Sequence, residues 1–159
     1  MIVVREGGMN LLLAADEDYH GGDDTSELIA LRSVWGALRN LASYRVEAFQ
    51  KYQLLAVIDT GHNTLTKLLT VTGSIAPQIM ERVFHAMSNV MMKDCLTADD
   101  FDEVMTADIL SNSLVNLQNL NGGWKQEPIL LIAGLRFLKH CFFKQKIFCT
   151  RWEIGRAHV

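Results

Sequence analysis

Apolar residues recur along this chain at steps of three and four, with no sustained alternation. The clearest run is Ile79, Met80, Val83, Phe84, Met87, Val90 and Met91. It makes one broad apolar stripe and predicts a helix of about four turns. Pro77 stands where a helix tolerates proline, in the first turn, because that N–H has no partner there. Before it, Leu54, Leu55, Val57 and Ile58 make another helical face, from about Val46 to Thr60. Gly61 is expected to close that helix in the left-handed conformation. Asn63 then caps a short helix carrying Leu65, Leu68 and Leu69, and Val71–Ile75 is a break.

The same punctuation appears upstream and downstream. Residues 1–7 read as a helix end, Gly7-Gly8 as a turn, and Met9–Ala15 as a short helix. Asp16–Asp24 reads as a solvated acidic loop. Asp24 or Thr25 caps the next helix, with Glu27 in its first turn. That helix runs to about Ser43, with Leu28, Leu31, Val34, Trp35, Leu38 and Leu41 inward. Thr97-Ala-Asp-Asp100 has capping-box spacing, with Asp in place of Glu. Ile109, Leu110, Leu114, Leu117 and Leu120 predict a further helix, stopped by Asn121-Gly-Gly123. Pro128 opens the last long one, through Leu131, Leu135, Leu138 and Phe142.

These segments read as copies of one unit. Val4–Asn10 with Leu11-Leu12-Leu13 parallels Val57–Asn63 with Leu65, Leu68 and Leu69, an offset of 53 from Gly8 to Gly61. Ala37-Leu-Arg-Asn-Leu41 parallels Ala86-Met-Ser-Asn-Val90, an offset of 49 from Asn40 to Asn89. Gly134-Leu-Arg-Phe-Leu138 takes the place again 48 further on, with Phe137 where the asparagine stood. A period in the forties with loops of variable length fits helical repeats, which hide their apolar faces only against neighbouring copies. The units are 1–43, 44–93 and a divergent 94–145, followed by a non-repeat tail from 146 to 159. Glu153–Val159 has no periodicity and reads as a translated sequencing adapter, to be left out of fold reasoning. The chain is then expected to be a piece of a longer protein.

VIDTGHNTLTKLL (57–69), SVWGALRNLAS (33–43) and ERVFHAMSNVMMK (81–93) resemble the armadillo repeat family, with HEAT-like repeats the near alternative. The short helix between the first and the long last one, together with the asparagines, favours armadillo. The resemblance implies an all-α fold, a right-handed α-solenoid of about three three-helix repeats. It also implies a partner-binding face on the long third helices (28–42, 78–92, 128–142). In members that bind extended peptides, an asparagine on successive third helices faces the concave groove, which puts Asn40 and Asn89 there. The chemistry suits the task, because a carboxamide donates and accepts at once and meets a backbone without reading side chains. His85, one turn before Asn89, and Trp35 join them as candidates. The nuclear-import receptors carry Trp four residues before the Asn, where this chain has Gly36 and His85, so the likeness stops short of import cargo.

Composition narrows the function further. Hydrophobic residues are 49% and charged residues 21%, which specifies a folded chain. The net charge of −3 argues against nucleic acid as the main ligand. No apolar run approaches the 18 residues of a membrane span. Cys95, Cys141 and Cys149 are odd in number and unpatterned, which suits a reducing cytoplasmic or nuclear setting. His140 beside Cys141 makes neither a metal pair nor a nucleophile pair, because adjacent helical residues diverge by about 100°. Met80, Met87, Met91, Met92 and Met105 read as core filling. The acidic loop lacks EF-hand spacing, and neither Gly7-Gly8 nor Gly122-Gly123 is a phosphate loop. No coupled nucleophile and base and no cofactor motif is found, so an enzyme is not expected. The expected function is a protein–protein interaction scaffold holding an extended peptide along the inner helices. A structural spacer, or a regulatory subunit of a larger enzyme complex, is the alternative.

Overall fold

The computed structural model describes residues 7–43, 49–93, 96–97, 99–100 and 127–144. Within them the chain is all-α, with five helices and no strand. They are α1 (Gly8–Glu17), α2 (Thr25–Ala42), α3 (Lys51–Leu68), α4 (Ile75–Met91) and α5 (Pro128–Lys144).

The helix starts follow local chemistry. Gly7 turns the chain into α1 at φ 76°, a left-handed angle that a residue without Cβ reaches cheaply. The Asp24 carboxylate accepts the Glu27 N–H at 3.0 Å and caps α2. At the head of α3 the Gln50 N–H donates to Gln53 Oε1 at 2.9 Å, and the Gln53 N–H donates to the Gln50 carbonyl at 3.0 Å. Gly73, at φ 106°, turns the chain between α3 and α4, and Pro77 sits in the first turn of α4. The Thr97–Asp100 box forms as expected: both the Thr97 N–H and its hydroxyl donate to Asp100 Oδ2, at 2.8 and 2.9 Å. Ile109–Leu120, Gly122-Gly123, Asp102, Glu103, Met105, Cys95, Cys149 and the 153–159 tail lie outside the described residues.

The long helices pack in order, α2 on α4 and α4 on α5, while α1 and α3 back the first two. Trp35, Phe84, Phe137, Leu38, Leu54, Ile58, Leu65 and Leu68 are fully buried between them. The Phe84 and Phe137 rings meet at 5.8 Å, tilted by 43°. Each such side chain gains roughly 1.5–3 kcal/mol on leaving water, several times one net hydrogen bond. The apolar stripe therefore determines which face of each helix turns inward.

Three sequence expectations are overturned. Gly61 does not end a helix, because α3 runs unbroken from Lys51 to Leu68 through it. A Cβ there would stand 2.8 Å from Met87 Sδ and 3.2 Å from Val83 Cγ1, so the glycine admits α4 rather than a turn. Residues 51–91 thus form two long helices, and the separate short helix expected after Gly61 is absent. Asp16 is not part of a solvated loop. It closes α1, buried at 1% exposure, and the Tyr19 ring follows it inward. Leu135 does not face the core: with Ile129 and Ile132 it lies exposed on the outer side of α5.

Candidate functional site

Among the described residues, the seam between α2 and α4 has an apolar floor and a polar edge. Opposite its apolar stripe, α4 carries Gln78, Arg82, His85 and Asn89, spaced by four, three and four residues, so all four share one side. On α2 the matching side is Arg32, Gly36, Arg39 and Asn40. The two sides are stitched by bonds from side chain to main chain. Arg82 Nη1 donates to the Arg32 carbonyl at 2.6 Å, and Asn89 Nδ2 donates to the Arg39 carbonyl at 3.1 Å. Donors and acceptors are each seven residues apart, two helical turns, so the bonds form two rungs of one ladder.

Each rung has a reason in local structure. The Arg39 carbonyl is among the last four of α2, which have no partner within the helix. The Ser43 N–H bonds Asn40 O instead, and Asn89 supplies the donor from the neighbouring helix. The Arg32 carbonyl is interior, but a carbonyl has two lone pairs and can take a second donor. Arg82 reaches it because Gly36 has no side chain: a Cβ there would lie 2.9 Å from Arg82 Nη1. Arg32 Nη1 in turn donates to Gln78 Oε1 at 2.6 Å.

The four expected site residues fare differently. Asn89 and His85 do lie on one strip, half-buried, and His85 Nε2 sits 3.0 Å from Glu81 Oε1. Asn40 is exposed on the matching side of α2. Trp35 is not on the strip. It is wholly buried, and its indole N–H donates to Asp16 Oδ1 at 2.7 Å, on the far side of α2. The amide donor of Asn89 is also already engaged, by a backbone within this chain. Phe137, in the asparagine's place on α5, is buried. Arg32, Gln78 and Arg82 were missed. The signal for them was present in the polar positions that repeat at helical spacing opposite the apolar stripe.

A second polar cluster is internal. Asp16 Oδ1 accepts from both Trp35 Nε1 and Thr64 Oγ1, the latter at 2.6 Å, joining α1, α2 and α3. Burial pushes the Asp16 carboxyl above the usual carboxylate range, against the pull of those two bonds and of the Lys67 ammonium. Lys67 Nζ donates to the Tyr19 carbonyl at 2.9 Å. The Tyr19 hydroxyl pins the turn by donating to the Gly22 carbonyl and accepting its N–H. The Asp16–Trp35–Thr64 node is closed to solvent and holds three helices together, while Lys67 and Gly22 reach the surface. Cys141 is buried too, and its thiol is pushed up to about 12, far from the thiolate a nucleophile needs. Among the described residues no group of three or more His, Cys, Asp or Glu could hold a metal ion, and no helix is long and apolar enough to cross a membrane.

No protein-family model, curated protein or solved structure matches this chain.

Proposed function

We propose that this chain is part of a helical-repeat scaffold, a right-handed stack of armadillo- or HEAT-like units, whose α2–α4 edge binds an extended segment of another protein. The observation that carries this reading is the polar edge itself. Asn40, His85 and Asn89 line a half-exposed strip over an apolar core, at the seam between two long helices of similar length. The rest of the described interior is committed to packing. The strip presents preformed donors and acceptors to a backbone, the kind of surface that holds an extended chain by many small contacts.

The spacer reading draws on a specific observation as well: Arg82 and Asn89 spend donors on the α2 backbone, which is a structural task. Peptide selection separates the two. Peptides are selected from a random twelve-residue library on the purified chain, and their binding is mapped by amide chemical shifts. Shifts concentrated on α2 and α4, and weakened binding in Asn40→Ala, support the scaffold. Shifts elsewhere, or no selected peptide at all, support the spacer. Asn40 is the cleaner probe, since Asn89→Ala also removes the rung to Arg39.

A further inference from the structure

Three guanidinium groups stand on the strip: Arg32 and Arg39 from α2 and Arg82 from α4, all half-exposed. Among the described residues none of them has a carboxylate within ion-pair distance; the ion pairs there are Lys51–Asp100 and His85–Glu81. Glu81, the carboxylate on the exposed side of α4, is thus held by His85. The chain carries a net charge of −3, so this concentration of uncompensated cations is local. Among the described residues, Glu17, Asp18, Asp23, Asp24 and Glu27 stand together around the α1–α2 turn, on other positions than the three arginines.

Two of the three arginines are already anchored. Arg82 and Arg32 each hold one acceptor through Nη1. A guanidinium has five N–H groups, so most of each fork remains available. Anchoring also removes much of the ordering entropy that a long side chain loses when a ligand binds. Forked donors fixed in this way match carboxylates better than they match a neutral backbone.

We propose that the α2–α4 strip takes an acidic extended segment of a partner protein, with its carboxylates on Arg32, Arg39 and Arg82. This rests on reading the strip as the binding face. The spacing suits such a segment: Arg32 and Arg39 are seven residues apart, a rise of about 10.5 Å. A polyproline-II chain returns a side chain to the same side every three residues, after about 9.3 Å. Acidic residues at every third position therefore follow the two arginines of α2.

The test uses fluorescein-labelled twelve-residue peptides with Glu, Gln or Lys at every third position, and a twelve-nucleotide single-stranded DNA, read by anisotropy. The Glu peptide is expected to bind most tightly and to weaken as salt is raised. Arg39→Gln, which breaks no internal bond, is expected to weaken it about fivefold. Circular dichroism checks that the variant stays folded. Equal binding of the Gln or Lys peptide, or no effect of Arg39→Gln, overturns the acidic partner. If library-selected peptides still map to α2 and α4, the binding face survives that failure. Tighter binding of the DNA through the same arginines overturns a protein partner in favour of nucleic acid. Failure of every probe also overturns the acidic partner, and the library selection then decides the face.

Discussion

Gly36 and Gly61 are both helix-interior glycines, and both let α4 come close, but they do opposite work. At Gly61 the visitor is apolar: Met87 and Val83 fill the space a methyl would take, deep in the α3–α4 seam. At Gly36 it is a cation on its way to a backbone carbonyl at the rim. The interior between the helices is thus held by shape, and the α2–α4 edge by hydrogen bonds that water can replace. Glycine in a helix gives up roughly 1 kcal/mol against alanine, so each position needs a compensating contact. The contrast indicates that the interior sets stability while the edge can be altered and still leave a folded chain.

The exception inside is Asp16, a carboxylate in a region otherwise held by packing, and the largest effect is expected there. Thr64→Val keeps the shape but removes one of its two donors, and should destabilise by about 2 kcal/mol at pH 7. Asp16→Asn goes the other way. Its amide oxygen can still accept from Trp35 and Thr64 without a buried charge. The folded carboxyl titrates above its unfolded value of 3.8. The native state therefore holds a proton that the unfolded chain has released, and wild-type stability is lost as pH rises through the raised value. Asp16→Asn should match or exceed the wild type at pH 7, with the difference shrinking towards pH 4 in urea titrations. Marked destabilisation by Asp16→Asn at every pH would show that the charge itself is favourable.

The glycines come next. Gly61→Ala should cost about 1–2 kcal/mol, because overpacking against Val83 and Met87 outweighs the gain in helix propensity. Gly36→Ala should stay within about 0.5 kcal/mol, since the guanidinium it meets ends a flexible side chain and can withdraw. Parallel thermal melts read both. Equal losses would erase the distinction between interior and edge.

The legible part of this fold was what periodicity carries. The apolar stripe of α4, the Asp24 cap, the Thr97–Asp100 box and the long helices beginning near 25, 75 and 128 were all readable. What stayed hidden depends on a second helix. Nothing local distinguishes a glycine that stops a helix from one that admits a neighbour, so Gly61 was expected to break α3. Asp16 sits among acidic residues, and only the arrival of Trp35 and Thr64 makes it an interior group. Trp35 was read both as an inward residue of α2 and as a partner-face candidate, and only the inward placement holds. Of the site, the asparagine and histidine positions were readable, and the arginines were hidden by the same expectation that made Asn89 a ligand group.

The smallest expected effect probes the interior once more. Ser88 lies on α4 at 2% exposure, and its hydroxyl finds no hydrogen-bond partner among the described residues. A buried hydroxyl without a partner has given up water for nothing, and serine is also a weaker helix former than alanine. Ser88→Ala removes the unsatisfied group and leaves a cavity of about one oxygen atom. The variant should be more stable by a few tenths to about 1 kcal/mol, read as a rise in Tm. The edge offers the matched control. Asn89→Ala, one residue along, deletes a donor whose partner is the Arg39 carbonyl and should lose about 1 kcal/mol. Opposite signs at neighbouring positions would mean that α4 is fitted to α3 and α5 by shape and to α2 by donors. A loss at both would mean that Ser88 has a hydrogen-bond partner after all, and that the interior of α4 depends on polar bonds as its edge does.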